Sequence, residues 1–323
     1  MCTAANFYAD DHYFGRNLDL EFSYNETVVI TPRNYTFPFR KTEDIESHYA
    51  IIGMAFVVEN YPLYYDATNE AGLSMAGLNF PEAKYPEFVE NKDNITPFEF
   101  IPWILSKAEN VSQARELLKN INLVNINFSE QLPLSPLHWI ISDKTESIVV
   151  ECVEEGLMVY DNPVGVMTNS PSFDKQLFNL NNYRHLSVKT PENTFSKNVE
   201  LKAYSRGMGG MGLPGDLSSA SRFVKVAFTR ENVLPGKSES ENISQFFHIL
   251  GSVYQQKGCC EVAPEAFEYT IYSSCVNTDK GIYYYKTYEN SQISAVNMHN
   301  YDLDSEELSI HKLVEGQQIN YQN

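Results

Sequence analysis

Strand-forming runs in this chain come as hairpin groups separated by helical stretches, and that alternation is the strongest constraint on how it folds. Residues 2 to 8 and 12 to 20 flank Asp10-Asp11 and read as a hairpin. Thr27 to Thr31 and Ala50 to Val58 follow, and then Leu63 to Ala67 and Leu73 to Phe80 around a turn through Asn69-Glu70-Ala71-Gly72. Thr96-Pro97-Phe98-Glu99 reads as a capping box with proline at the first helical position. Ala114, Leu117, Leu118 and Ile121 continue at helical spacing after a break near Asn110. A second strand group covers His138 to Ser142, Ser147 to Val153, Leu157 to Tyr160 and Val164 to Thr168, the last delivering Asn169-Ser170-Pro171. Two helices come next. One is capped by Asp216 with Ala220, Phe223, Val224, Ala227 and Phe228 as its apolar stripe; the other carries Ile243, Phe246, Phe247, Leu250 and Val253 on one face. Tyr269 to Val276, Ile282 to Thr287 and Ile293 to Met298 return to strand. The order β, α, β, α, β predicts an α+β sandwich, two layers of antiparallel sheet covered by helices, in one domain over residues 1–323.

The formal net charge of −18 argues against nucleic acid as a partner, since backbone binding needs a basic face. It would also repel an anionic substrate, so local arginines would have to reverse the sign inside a site for one. The longest apolar run, Ala50 to Val58, is too short to span a bilayer, and the N-terminus has neither a basic region nor an apolar signal core. A soluble, cytoplasmic chain without membrane partners is expected. The five cysteines are an odd number without metal-type spacing, and Cys152, Cys259, Cys260 and Cys275 read as reduced and mostly buried. No two of the seven histidines stand at metal-ligand spacing, and no Gly-x-Ser-x-Gly elbow occurs. Neither a metal nor another cofactor is expected, and Cys2 is left as the best nucleophile.

Met1 reads as an initiator, and a small second residue lets it be trimmed. Cys2 would then carry a thiol and a free α-amine together, and an amine titrating at about 8 supplies its own base. With a two-residue turn centred on Asp10-Asp11, Cys2 would pair with Asp19 on one face, where the carboxylate could hold the amine. Arg16 would then fall on the other face unless a bulge near Gly15 brought it round, and a guanidinium there would favour the thiolate. The alternative from residues alone is an acidic β-rich binding module in which Cys2 is incidental.

Six landmarks in order carry a resemblance: Cys2; Gly15-Arg16-Asn17-Leu18-Asp19; Ala76-Gly77-Leu78-Asn79-Phe80; Val166-Met167-Thr168-Asn169-Ser170-Pro171; Gly212-Leu213-Pro214-Gly215-Asp216; and Ser218-Ser219-Ala220-Ser221-Arg222-Phe223. Together they resemble the choloylglycine hydrolase family, the conjugated bile acid hydrolases and penicillin V acylases of the N-terminal nucleophile class. The resemblance implies an αββα four-layer sandwich, Cys2 as nucleophile with its amine as base, and Arg16 beside the thiol. It also implies Asp19 on the amine, Asn79 and Asn169 as the oxyanion hole, and Arg222 completing the polar network. Arg222 lies nearly opposite the stripe of Phe223, Val224 and Ala227, so the helical wheel alone makes it an exposed arginine. Asn79 is similar to the bile acid hydrolase residue at a position where the acylases usually carry tyrosine, so conjugated bile acids are the implied substrates. A homo-oligomer, a tetramer by analogy, is implied as well.

Phe22 and Tyr24 just after Asp19 would suit a rigid steroid. The irregular stretch 122–136 carries Phe128 and Leu134, either as a lid over a greasy ligand or as a loop tucked against the core. Ser205 and Arg206, at the entrance of a glycine-rich loop, read either as donors suited to a sulfonate or as an exposed loop with no ligand contact.

Overall fold

A computed structural model describes residues 1–323. Two antiparallel sheets lie face to face between layers of helix. The first has six strands in the order Val166–Met167, Cys2–Tyr8, His12–Leu20, Tyr269–Asn277, Ile282–Thr287 and Ser294–Asn297. The second has eight, ordered Gly156–Asp161, Ser147–Val153, Leu137–Ser142, Ser74–Asn79, Tyr61–Asn69, Ile51–Val58, Thr27–Thr31 and Ser309–Lys312. Strand periodicity explains the layering, because successive residues must serve opposite faces. Val28, Ile52, Met54, Leu78 and Ile140 enter the core shared with the first sheet, whereas Val29, Ile51, Met75 and Ile141 pack against Phe100, Trp103 and Ile104 of the helix Phe100–Lys107. The helices Ser219–Asn232 and Glu239–Gly251 cover the first sheet from outside, with Phe223, Phe246 and Leu250 on it. This is the expected αββα sandwich. No helix is long and apolar enough to cross a membrane.

The N-terminal hairpin differs from the expectation by one residue, with large consequences. Tyr8 pairs with His12, so the connection is the three residues Ala9 to Asp11 and Cys2 lies opposite Leu18, not Asp19. A slip of one moves every side chain to the other face. Arg16 therefore shares a face with Cys2, paired with Ala4, and no bulge in its own strand is needed. Asp19 faces the helices instead. The bulge occurs in the neighbouring strand between Thr270 and Tyr272, so that Thr270 turns to Asp19 on the helix side while Tyr272 turns inward to Asp66.

Other differences have local causes. The capping box is half made: the Glu99 carboxylate accepts the Thr96 N–H at 2.9 Å, but Thr96 to Glu99 close a turn and the helix begins at Phe100. A short helix at Phe173–Asn179 follows the cis Ser170-Pro171 bond, in a stretch for which the sequence carried no assignment. Cys152 and Cys275 are buried as expected, but Cys259 is exposed and Cys260 only half-buried; all five cysteines are free.

Gly15 serves close approach rather than a bulge. A Cβ there would lie 2.1 Å from the Ser274 carbonyl oxygen of the adjoining strand. Gly15→Ala is expected to destabilise the fold by about 3 kcal/mol through backbone displacement, checked by urea unfolding; an unchanged midpoint would contradict this reading.

Candidate active site

Cys2 begins its strand 3 % exposed, with its side chain between the sheets and its backbone fixed from the helix side. Its nitrogen donates to Asn169 Oδ1 at 2.8 Å. Its carbonyl accepts from Arg222 Nη1 at 2.5 Å, and the same nitrogen reaches Thr3 Oγ1. Arg222 Nη2 donates to Asn169 Oδ1 at 2.8 Å and Nε to the Leu217 carbonyl at 3.0 Å. One planar guanidinium thus holds the N-terminal strand, the end of the strand Val166–Met167 and its own helix.

Arg222 is fully buried, contrary to the wheel. The buried face runs through Arg222, Phe223, Val226 and Ala227, and the partly buried Ser219 and Arg230 continue it at helical spacing. A stripe drawn from apolar residues alone is rotated away from it. Ser219 Oγ accepts the Asn169 N–H at 2.8 Å, and Arg230 donates to Asn6. Burial pulls the Arg222 guanidinium below its ordinary value, against the charges of Asp19, Cys2 and Glu268.

On Cys2's own face, Arg16 is 1 % exposed and donates through Nη1 to the carbonyls of Gly77 at 2.5 Å and Tyr65 at 3.0 Å. Burial works against its charge, and Cys2, Tyr272 and Asp66 more than offset it, so the guanidinium is held above its ordinary value. Asp66, fully buried, accepts hydroxyl hydrogens from Tyr272 and Tyr283 at 2.6 Å each and from Ser274 at 3.1 Å. Burial pushes its carboxyl up while Arg16 and those hydroxyls pull it back.

Asp19 makes no hydrogen bond to Cys2. Its carboxylate accepts from Thr270 Oγ1 at 2.6 Å and Gln255 Nε2 at 3.1 Å, and burial pushes it up against the field of Arg222. The terminal ammonium of Met1 instead meets the Asp19 carbonyl at 3.0 Å and the Glu268 carboxylate at 2.6 Å. Asn79 stands exposed at the end of its strand with its side-chain amide unengaged, and its carbonyl accepts from Asn169 Nδ2 at 2.7 Å.

The expected substrate residues separate. Phe22 and Tyr24 are exposed, 4.8 Å apart between ring centroids, with Phe56 6.1 Å from Tyr24. Tyr65 is half-buried, with its carbonyl accepting from Arg16 Nη1 at 3.0 Å, and burial holds its hydroxyl above the ordinary range. Phe128 is tucked against Phe98 and Tyr61 on the helix side of the second sheet, beneath Arg40. Leu134 is partly buried in the same stretch, its N–H on Asn127 Oδ1. Ser205 and Arg206 are exposed and make no hydrogen bond to the residues above, Ser205 bonding to the Arg206 carbonyl. Sequence reading missed Asp66, Tyr65, Gln255, Thr270 and Glu268. Asp66 was visible as a lone charge within a strand run; the others carry no such signal. No cluster of three His, Cys, Asp or Glu side chains is arranged to hold a metal ion.

Two antiparallel sheets sandwiched by helices, with a cysteine at the start of an inner strand, are the architecture of the N-terminal nucleophile hydrolases. Residues 2–311 match the model of the linear amide C–N hydrolases, choloylglycine hydrolase family. The chain belongs to that family. It is 62% identical over 309 residues to the bile salt hydrolase/transferase of Lactiplantibacillus plantarum, covering 95% of each chain. The C2A variant of the conjugated bile acid hydrolase from Clostridium perfringens superposes with a TM-score of 0.92 at 40% identity over 100% of both chains. The penicillin V acylase of Agrobacterium tumefaciens shares the fold, with a TM-score of 0.75 at 19% identity, covering 98% of this chain and 92% of its own.

A lysine at 222 could not make four directed bonds. Arg222→Lys is expected to lower kcat/KM for amide hydrolysis about a hundredfold, the loss of two charge-assisted hydrogen bonds at about 1.5 kcal/mol each. Steady-state kinetics on folded protein checks this, and activity within threefold of the parent would contradict it.

Proposed function

We propose that the chain hydrolyses the amide joining a bile acid to glycine or taurine, with Cys2 as nucleophile once Met1 is removed. One observation carries the reading: the nitrogen that becomes the α-amine already lies 2.8 Å from Asn169 Oδ1, and Arg16 shares the thiol's face. The neutral amine accepts the thiol proton, and the thiolate attacks the amide carbonyl carbon. Asn79, unengaged at its strand end, and the second Nδ2 hydrogen of Asn169 are the donors for the oxyanion, where charge appears only in the tetrahedral state. The ammonium returns its proton to the departing nitrogen of glycine or taurine as the C–N bond breaks. Water, deprotonated by the same amine, then releases the bile acid from the thioester. Arg16 stabilises the thiolate, and Asp19 supplies the negative charge that the buried Arg222 needs.

Bile acids are favoured over penicillin V by the 62% identical relative, by asparagine at position 79, and by the aromatic group of Phe22, Tyr24 and Phe56, which suits a flat steroid. Ser205 and Arg206 are free to meet a sulfonate, so taurine conjugates are cleaved at least as well as glycine conjugates. The same reading makes the chain one functional domain, acting in the cytoplasm as a homo-oligomer, a tetramer by family analogy.

Incubation with glycocholate and taurocholate, with assay of freed amino acid, is expected to show release from both, and Cys2→Ala none. Hydrolysis of penicillin V with neither bile salt cleaved would overturn the substrate assignment; undiminished turnover by Cys2→Ala would overturn the mechanism.

A further inference from the structure

The two asparagines assigned to the oxyanion hole stand on strands of different sheets, at Asn79 in Ser74–Asn79 and just past Val166–Met167. The two are joined directly by the Asn169 Nδ2 bond to the Asn79 carbonyl at 2.7 Å, which leaves the angle between the strand ends to be set by their surroundings. One buried side chain touches the residue beside each. His138, 1 % exposed, lies with its ring stacked on that of Phe80, centroids 4.5 Å apart and planes at 3°. Phe80 is the residue after Asn79. The other edge of the imidazole, Nε2, donates to the Thr168 carbonyl at 2.8 Å, and Thr168 is the residue before Asn169. The ring is itself held by Glu151, whose Oε1 lies 3.0 Å from Nδ1 and also accepts the Phe173 N–H at 3.0 Å.

A carbonyl can only accept, so Nε2 must bear a hydrogen. The Nδ1 to Oε1 contact is then bridged by one further proton, whichever atom it rests on. Glu151 is wholly buried and its other oxygen has no partner, so this costly carboxyl is held by two contacts at Oε1, to the His138 ring and to the Phe173 N–H. An apolar pair of the same volume would fill the space as well, but it could not set the ring's plane or its hydrogen-bond edge.

We propose that His138 is a positioning residue for the reaction: oriented by Glu151, it fixes Asn79 through Phe80 and Asn169 through Thr168, setting the distance between the two oxyanion donors. The inference rests on the assignment of those asparagines. It predicts effects on the chemical step rather than on binding, because the donors engage fully only in the tetrahedral state.

The test is a double-mutant cycle of His138→Phe and Asn79→Ala on the full processed chain with glycocholate. His138→Phe keeps the stacked ring but loses both hydrogen bonds. It is expected to lower kcat about tenfold through misplaced donors, with KM within about twofold and the rate of Cys2 alkylation by iodoacetamide unchanged. His138→Gln, whose amide nitrogen can still reach the Thr168 carbonyl, is expected to recover most of kcat. The double mutant should be little worse than Asn79→Ala alone, because the two act as one unit. Should His138→Phe fail to fold, Glu151→Gln takes its place with the same expectations. Unchanged kcat in either variant, strictly multiplicative losses, or alkylation falling in parallel with kcat would each overturn the positioning role. If Asn79→Ala alone leaves kcat intact, the oxyanion assignment fails instead, and a loss confined to the His138 variants would then show that the ring acts by another route.

Discussion

A single buried guanidinium holds the site together. Arg222 donates to the carbonyl of Cys2, the hydroxyl of Thr3 and the side-chain oxygen of Asn169, and so joins the first strand, the strand end at 169 and the helix Ser219–Asn232. A buried charge is costly unless it is paired and fully hydrogen-bonded. Here the charge is balanced by Asp19 in the field around it, and Asp19 is in turn satisfied by Thr270 and Gln255. The strands could pair without this network, but the backbone of Cys2 would not be fixed against Asn169.

The sheet separates two charge systems. On the helix side are Arg222, which bonds the carbonyl of Cys2, and Asp19, whose charge lies in the field of that guanidinium. Between the sheets are Arg16, on the face of its thiol, and Asp66, with Tyr272, Tyr283 and Ser274 satisfying the carboxylate. Alternation along the strand from 12 to 20 delivers Arg16 to one side and Asp19 to the other, so one hairpin serves both. The chain as a whole carries −18, yet the charged side chain bonded to the Cys2 carbonyl and the one that shares the face of its thiol are both arginines. Local positive charge is thus set inside a negative envelope.

Much of this was legible in the sequence, and what was not has physical reasons. The strands at 27–31, 147–153 and 282–287 matched within a residue, because β-branched and aromatic runs bounded by turn residues have few other uses. The hairpin's face assignment failed on a loop of three residues instead of two, a difference that spacing does not encode when Asp10 and Asp11 fit either turn. Arg222 escaped the helical wheel because a buried face can be polar where it meets a site, and hydrophobicity marks only the apolar part of it. Asn79 and Asn169 came from the family resemblance alone; in isolation a strand-end asparagine is an ordinary turn residue. Phe128 illustrates the reverse, an apolar residue on a long loop that belongs to the core and not to a lid.

The central claim is that Cys2, freed of Met1, is acylated during turnover. Rapid acid quenching of the processed chain with taurocholate, followed by peptide mass mapping, tests it directly. The expected product is an N-terminal peptide that begins at Cys2 and carries the bile acyl group, with its mass raised by that of the free acid less one water. An acylated peptide that still begins at Met1, or an acyl group on any side chain other than Cys2, would contradict it.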